Sequence, residues 1–175
     1  YGTYHVSTCT GGGKVISIIA AVGKNNEIGK NNELIWHIKE DLQNFKNLTM
    51  NKYIVMGANT YASLPKRLEG RKYIVLSKHL KEIENGLVFN DFETLLEFIN
   101  KQNEEIMIIG GSSIYKLFIP YADKLYLTEI DSTSDADTYF PDFDKSKYKY
   151  NILKENNDNE LKYKFVIYEK KEAIK

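Results

Sequence analysis

One carboxylate stands out by its position: Asp41 follows Trp36, the only tryptophan, by five residues. The apolar residues Ile38, Leu42 and Phe45 have the i, i+4, i+7 spacing of a helix and predict a buried stripe. Asp41 falls in the first turn of that helix, at the edge of the stripe. A carboxylate there either gains strong hydrogen-bond partners or has a raised pKa, and both states suit a cationic or amidine-like ligand. An ordinary first-turn acid that interacts with the helix dipole is the alternative.

Three other segments place small, hydroxyl-bearing or basic residues at the ends of predicted strands. Gly57-Ala58-Asn59-Thr60 and Gly110-Gly111-Ser112-Ser113 each join a strand to a helix, and Leu76-Ser77-Lys78 ends another strand. Parallel sheets bind ligands at the carboxyl ends of their strands, where helix N-termini offer N–H groups to phosphate. The segments therefore predict a site for a dinucleotide pyrophosphate. Neither glycine turn has the G-x-G-x-x-G or P-loop pattern, so plain tight turns are the alternative.

Arg71 follows Gly70 at the start of a predicted strand. A guanidinium there is able to bind a carboxylate through two parallel hydrogen bonds. From the residues alone, a solvated charge at the edge of the sheet is the favoured interpretation.

The apolar pattern predicts an α/β fold. Nearly continuous apolar runs predict strands at 15–22, 52–57, 71–77 and 106–110, and helical patterns lie between them at 41–49, 60–64, 92–99 and 113–119. Asp91 is the candidate N-cap of the third helix, and Pro120 is expected to stop the fourth. Strands that alternate with helices favour a largely parallel sheet. At the C-terminal end, 124–130 and 162–169 alternate as strands, and 150–154 is predicted to pair with the last strand across a turn at 156–159.

The composition is ordinary for a globular protein of 175 residues, with 42% hydrophobic and 27% charged residues. The 24 basic and 24 acidic side chains cancel to zero net charge, which argues against a nucleic-acid partner. Because no apolar run reaches membrane-spanning length and Cys9 is the only cysteine, we expect a cytoplasmic protein without a membrane span.

Residues 1–13 end in three glycines and are expected to be foreign to the fold. They are interpreted as an appended remnant or a disordered arm, which leaves residues 14–175 as a single domain. His5 and Cys9 lie in this segment, but two ligands do not make a metal site, so no metal is predicted.

From Val15 to about Lys170 the sequence resembles dihydrofolate reductase of the bacterial kind. Eight motifs occur in the family's order and spacing. They are Ile16-Ser17-Ile18-Ile19-Ala20-Ala21, Ile28-Gly29-Lys30-Asn31-Asn32, Leu34 to Lys46, Met56-Gly57 with Thr60, Leu68-Glu69-Gly70-Arg71-Lys72, Ile109-Gly110-Gly111 with Ile114-Tyr115, Leu125-Tyr126-Leu127-Thr128, and Asp137-Thr138-Tyr139-Phe140-Pro141. The resemblance implies a monomer with a three-layer α/β fold: a mostly parallel sheet of about eight strands, a C-terminal antiparallel hairpin and about four helices.

The resemblance also implies the reaction and the residues that bind the substrate. Dihydrofolate would accept a hydride at C6 from NADPH and a proton at N5 from water, and antifolates would bind in its place. The implied catalytic residues are Asp41, Thr128, Trp36 and Leu34. The implied substrate-binding residues are Ile19, Asp41, Phe45, Leu64, Arg71, Ile109 and Thr128. Asp41 would grip the pterin with Thr128 beside it, Phe45 and Leu64 would enclose the benzoyl ring, and Arg71 would bind the glutamate α-carboxylate.

The implied NADPH site uses the glycine turns and the residues beside them. Its residues would be Ala21, Ile28, Gly29, Gly57, Ala58, Asn59, Thr60, Leu76, Ser77, Lys78, Ile109, Gly110, Gly111, Ser112, Ser113, Ile114 and Tyr115. The Gly110-Gly111 step resembles the family's cis peptide. Leu34 would lie in a mobile loop that closes the nicotinamide site, and Asp137 would pin that loop.

Three positions depart from the family's pattern. Ala58 stands where many members carry an arginine that binds the cofactor's phosphates, and Lys78, Lys66 or Arg67 would compensate. Ile35 replaces a proline before the tryptophan, and Tyr61 stands where tryptophan or phenylalanine is usual.

Two other functions are alternatives to this one. A same-fold reductase acting on a ribosylated pyrimidine in riboflavin synthesis is disfavoured by Asp41, Thr128 and Arg71. A dinucleotide-binding module without turnover would not need the Asp41/Thr128 pair.

Overall fold

The computed structural model describes residues 14–64, 68–158 and 160–171. Two of the predictions above, for residues 1–13 and for compensation by Lys66 or Arg67, lie outside the described residues.

Strands and helices alternate along most of the described chain. Numbered in chain order, the strands are β1 (Val15–Val22), β2 (Glu27–Lys30), β3 (Glu33–Leu34), β4 (Tyr53–Gly57), β5 (Lys72–Leu76), β6 (Gly86–Phe89), β7 (Glu105–Gly110), β8 (Lys124–Ile130), β9 (Thr138–Tyr139), β10 (Tyr148–Asp158) and β11 (Leu161–Lys170). The helices are α1 (Lys39–Thr49), α2 (Ala58–Ser63), α3 (Phe92–Asn100) and α4 (Ser112–Phe118), with short 3-10 helices at Ile119–Tyr121 and Lys145–Lys147.

The central sheet has eight strands in the order β10-β11-β8-β1-β7-β4-β5-β6. From β8 to β6 each neighbouring pair is parallel, whereas β11 runs antiparallel to both β8 and β10. The predictions of a mostly parallel sheet and a C-terminal antiparallel hairpin are therefore confirmed. Strands β3, β2 and β9 form a second, small sheet.

The apolar strands are buried on both faces because helices cover both sides of the sheet. On β4, Val55 packs into one core cluster, while Ile54 and Met56 pack into the other. The first cluster includes residues of α3 and α4, and partly buried residues of α1 and α2 pack against the second. This arrangement confirms the three-layer fold.

The predicted helix ends need correction at three places. Helix α1 begins at Lys39 and α2 begins at Ala58, each two residues earlier than expected. Helix α4 spans Ser112–Phe118, one residue earlier at each end than expected, and it ends before Pro120, which lies in a 3-10 turn. Proline fits the first turn of a helix because its missing N–H would have no partner there. Asp91 caps α3 as predicted, accepting from the Thr94 N–H.

The predicted buried stripe of α1 is wrong at Leu42, which is 51% exposed. The buried face instead carries Asn44 and Thr49 together with the partly buried Phe45 and Leu48. On a wheel of about 3.6 residues per turn, Leu42 falls just beyond that arc, whereas Asp41 lies near its centre.

The C-terminal hairpin turns later than predicted. Strand β10 continues through Asp158, and Glu160, with φ +70°, lies in the turn that leads to Leu161. The sequence pattern also missed β2, β3, β6 and β9, which have four residues or fewer and depend on pairing with neighbouring strands. None of the described helices is long and apolar enough to cross a membrane.

Candidate active site

The first turn of α1 brings Asp41 against the central sheet. There the Thr128 hydroxyl, buried on β8, donates a hydrogen bond of 2.5 Å to Asp41 Oδ1. Burial raises the pKa of Asp41, and the Thr128 hydrogen bond opposes part of that rise. Within the described residues, Thr128 is the only hydrogen-bond donor to this carboxylate. Its second oxygen, Oδ2, has no hydrogen-bond partner in that part of the chain and is able to accept one.

The buried Tyr115 hydroxyl joins the two strands beside this acid. It lies 2.8 Å from the carbonyl oxygen of Ile19 on β1 and 2.9 Å from that of Ile109 on β7. The phenol has a single proton for these two acceptors, and each carbonyl oxygen has two lone pairs, so both carbonyls retain capacity to accept further hydrogen bonds. Burial and then the negative charge of Asp41 raise the pKa of Tyr115, so the phenol stays neutral. The resemblance implied Tyr115 as a pocket residue but not this bridge.

The residues expected to bind the rest of a folate lie around the end of α1. Phe45 and Leu64 are both partly buried against the same core cluster. Arg71 donates from Nε to Thr49 Oγ1 at 3.1 Å, from Nη1 to the Glu69 carbonyl at 2.6 Å, and from Nη2 to the Lys46 carbonyl. The favoured interpretation of Arg71 as a solvated edge charge is therefore wrong. Its guanidinium is held in a fixed orientation by three acceptors.

The two glycine turns lie side by side because β4 and β7 are neighbours, with Met56 paired to Gly110. The peptide bond between Gly110 and Gly111 is cis, as the resemblance implied. Gly110 has φ +132°, a conformation that favours glycine. A Cβ added to Gly110 or to Gly111 would lie 3.6 Å from the Thr60 hydroxyl, so this hydroxyl faces both glycines across the turn.

The remaining predicted cofactor residues surround these turns. Ala21 pairs in register with Thr128, and Ile114 is buried in α4. After β5, the Ser77 hydroxyl accepts from the N–H groups of His79 and Leu80, each at 3.2 Å, while Lys78 is exposed. Ala58, Asn59, Ser112 and Ser113 occupy the first turns of α2 and α4.

The segment between β1 and α1 carries the other predicted residues. Ile28 and Gly29 are buried in β2, and Trp36 is partly buried against the cluster around Ile38. The Leu34 side chain is 62% exposed.

Asp137 contacts this segment, as the resemblance implied. Its carboxylate accepts from the Asn31 N–H at 2.9 Å, and its own N–H donates to the Gly29 carbonyl at 3.0 Å.

The comparisons with known proteins identify the family. A family model described as dihydrofolate reductase matches residues 15–170. The chain belongs to the dihydrofolate reductase family. It is 41% identical to the dihydrofolate reductase of Buchnera aphidicola subsp. Acyrthosiphon pisum over 87% of this chain and 97% of that protein. It is 37% identical to the dihydrofolate reductase of Haemophilus influenzae over 89% of this chain and 98% of that protein. It is 36% identical to the dihydrofolate reductase of Bacillus subtilis over 92% of this chain and 98% of that protein.

Dihydrofolate reductases use NADPH, and the described residues fit that cofactor. The segments 57–60, 76–78 and 110–113 contain glycines, hydroxyl groups, an amide and an ammonium group, but no carboxylate. This donor set suits an anionic pyrophosphate. Among the described residues, a Cβ added to Gly111 would meet only Thr60 Oγ1, at an ordinary contact distance of 3.6 Å, so the backbone there is open. No group of acidic, histidine or cysteine residues able to hold a metal ion occurs in the described part.

Glu40, the residue before Asp41, was not predicted as a site residue because a first-turn glutamate is unremarkable in sequence. Its carboxylate accepts from the Tyr163 hydroxyl at 2.8 Å, from Asn156 Nδ2 at 2.9 Å and from Lys154 Nζ at 2.5 Å. These donors belong to β10 and β11, so Glu40 ties the start of α1 to the C-terminal hairpin.

We expect Glu40→Gln to lower the free energy of unfolding at pH 7 by about 1 kcal/mol, since the ion pair reaches water. The Lys154 hydrogen bond, together with those of Asn156 and Tyr163, outweighs burial and lowers the pKa of Glu40. This stabilisation is present above the unfolded pKa of about 4.3 and is lost as pH falls through the lower folded pKa. Urea unfolding of both proteins at pH 7 and at pH 3 tests this: the difference should be smaller at pH 3, and a difference of the same size at both pH values contradicts it.

Proposed function

We propose that this chain reduces 7,8-dihydrofolate to 5,6,7,8-tetrahydrofolate with NADPH and so supports one-carbon metabolism. The observation that carries the proposal is the partly buried Asp41–Thr128 pair, in which one carboxylate oxygen has no hydrogen-bond partner among the described residues. Membership of the dihydrofolate reductase family supports the same reaction.

Asp41 binds the pterin edge that carries the 2-amino group and a ring nitrogen. Two parallel hydrogen bonds from that edge match a carboxylate, and a partly dry site strengthens them. The carbonyls of Ile19 and Ile109 face the ring's other donors, with Tyr115 sharing its proton between them. Phe45 and Leu64 enclose the benzoyl ring, and the fixed guanidinium of Arg71 binds the glutamate α-carboxylate.

When bound, NADPH supplies the hydride that C6 of dihydrofolate accepts. Asp41 holds the far edge of the pterin and does not reach N5, so water delivers the proton there. The carboxylate acts by orienting the ring and polarising it. Ala21, Ile28, Gly29, Ile114 and Tyr115 form the nicotinamide side of the pocket and exclude other water, and Leu34 and Trp36 belong to the segment that closes it.

The glycine turns hold the pyrophosphate in this proposal. Backbone N–H groups near the start of α2 and α4 and nearby hydroxyls bind its oxygens. The contributing residues are Gly57, Ala58, Asn59, Thr60, Gly110, Gly111, Ser112 and Ser113. Leu76, Ser77 and Lys78 lie at the adenosine side. There the exposed ammonium group of Lys78 attracts the 2′-phosphate of NADPH.

The proposal also covers antifolate binding, the oligomeric state, the location in the cell and the domain organisation. Antifolates bind at Asp41 in place of dihydrofolate, because a protonated diaminopyrimidine pairs with a carboxylate. The enzyme acts as a monomer in the cytoplasm. Residues 14–175 form its single domain.

The test of the proposed function is NADPH oxidation with dihydrofolate, followed optically and repeated with NADH. Rapid turnover that needs both NADPH and dihydrofolate supports it. Turnover of a ribosylated aminopyrimidine instead would indicate the riboflavin-type reaction. NADPH binding, seen as quenching of Trp36 emission, without any turnover would indicate a binding module.

We expect Arg71→Lys to raise the KM for dihydrofolate about tenfold or more while kcat stays within about twofold. Lysine cannot reproduce the planar guanidinium that Thr49, Glu69 and Lys46 hold in place, so the KM rises. The glutamate tail of dihydrofolate binds equally well before and during the reaction, so kcat does not change. A folate analogue without its glutamate is the matched substrate, and its KM should be the same for both proteins. An equal KM rise with this analogue contradicts the role.

A further inference from the structure

Glu27 is a buried acid that the proposed mechanism leaves unused. It lies in β2 beside Ile28 and is 2% exposed. Burial of an ionised carboxylate is costly unless hydrogen bonds compensate for the lost water. Burial alone would raise the pKa of Glu27, but the backbone N–H groups of Ser134, Glu27 itself and Asn25 together lower it. The side chain is therefore ionised at neutral pH.

The two carboxylate oxygens of Glu27 bind different loops. Oε1 accepts from the Asn25 N–H at 2.7 Å, in the β1–β2 loop (residues 23–26). Oε2 accepts from the Ser134 N–H at 2.8 Å, in the β8–β9 loop (residues 131–137). Asn25 and Ser134 are more than a hundred residues apart in the chain. The carboxylate therefore bridges two loops that have no local connection.

Other contacts between the two loops are backbone pairs or exposed ion pairs. The Lys24 N–H donates to the Ser132 carbonyl at 3.0 Å, and the Lys24 and Asp131 side chains form an ion pair at 2.9 Å. Both side chains of that ion pair are more than half exposed, so it contributes little to stability. Glu27 is thus the buried, charge-assisted part of the contact.

Glu27 also lies beside the only tryptophan. A Cβ built on Gly23 would lie 2.5 Å from Glu27 Oε1 and 2.2 Å from Trp36 Cη2, so the carboxylate and the indole flank the same backbone position. A movement of this bridge would change the surroundings of Trp36. Trp36 fluorescence therefore reports on the bridge before any ligand is added.

We propose that Glu27 is a positioning residue that clamps the β1–β2 loop to the β8–β9 loop and so holds β2 against bound NADPH. The inference rests on the proposed function, because it assigns Ile28 and Gly29 of β2 to the nicotinamide side of the pocket. The β1–β2 loop docks through the carboxylate, and loss of the bridge lets the cofactor leave sooner. The dihydrofolate contacts on α1 and at Arg71 are not affected.

Glu27→Gln and Glu27→Leu test the proposal, with Glu33→Gln as the control. Glutamine keeps one acceptor but turns an amide NH2 toward a backbone N–H, and leucine keeps the site apolar and filled. Glu33 lies in the neighbouring β3, is exposed, and makes no side-chain hydrogen bond within the described residues. The control therefore makes the same chemical change on the same segment without touching the bridge.

We expect both Glu27 variants to release NADPH about tenfold faster, since a charge-assisted hydrogen bond contributes enough to support that factor. Trp36 emission of the unliganded variants should differ from that of the parent. The KM for dihydrofolate should stay within about twofold, and Glu33→Gln should match the parent in all three measurements. NADPH release is measured by stopped-flow fluorescence with an excess of competing ligand.

Unchanged NADPH release in both Glu27 variants overturns the proposal, whatever happens to Trp36 emission or to thermal stability. A lower melting temperature with unchanged release would give Glu27 a purely structural role. Failure of the proposed function is a different result: the parent itself would not oxidise NADPH with dihydrofolate, although NADPH release would still be measurable.

Discussion

Replacing Asp41 by asparagine should lower kcat/KM for dihydrofolate by about a hundredfold or more. Asparagine keeps the shape of the side chain and an acceptor for the Thr128 hydroxyl, but it removes the charge that grips and polarises the pterin. Steady-state kinetics with NADPH give this value. The isosteric change Asp135→Asn, at an exposed surface ion pair with Lys30, is a matched control and should stay within about twofold of the parent.

The pH dependence of the same variant separates its charge from its shape. Burial raises the pKa of Asp41, and the negative charge of its carboxylate adds to the effect of burial in raising the pKa of Tyr115. We expect the kcat/KM profile of the parent to change over the range in which Asp41 titrates, and the profile of Asp41→Asn to flatten there. A profile whose shape is the same in both proteins would show that Asp41 does not act through its charge.

Stability should move in the opposite direction to activity. Because the folded pKa of Asp41 is raised, its effect on stability is most favourable below the unfolded pKa of about 3.9 and falls as pH rises through the folded value. At pH 7 the unliganded protein carries the cost of a partly buried, singly hydrogen-bonded carboxylate. Asp41→Asn should therefore raise the free energy of unfolding by about 1 kcal/mol at pH 7. Urea unfolding at pH 7 measures this, and a less stable variant contradicts it.

Gly110→Ala should lower the free energy of unfolding by about 2 kcal/mol and weaken NADPH binding. Gly110 has φ +132°, and an added Cβ would lie 3.3 Å from the Tyr115 hydroxyl. That hydroxyl bridges the carbonyls of Ile19 and Ile109, so the new methyl group disturbs β1 and β7 at the pterin site. Urea unfolding and NADPH titration measure the two effects.

Gly57→Ala is the matched control, because Gly57 occupies the same position at the end of the neighbouring strand. Its φ of −85° is open to any residue, and an added Cβ would meet the flexible Ile114 side chain at 3.2 Å. We expect a loss below about 1 kcal/mol. Equal losses in the two variants would show that backbone conformation at Gly110 does not decide the effect.

The sequence by itself determined the features that depend on local spacing. Continuous apolar runs indicated β1, β4, β5 and β7 because both faces of those strands are buried. The glycine turns at Gly57 and Gly110 were predicted at strand ends, and they lie side by side because their strands are neighbours. Asp41 was placed in the first turn of α1 by the helical period.

Only the tertiary structure decided which partners these residues have. Thr128 is 87 residues from Asp41, Tyr115 is 96 residues from Ile19, and Ser134 is 107 residues from Glu27. Contacts at such separations depend on strand order and loop packing, which no local pattern contains. The same reason explains the errors at Leu42 and Arg71: the periodicity marks a helix face or a strand end, but burial there depends on which element packs against it.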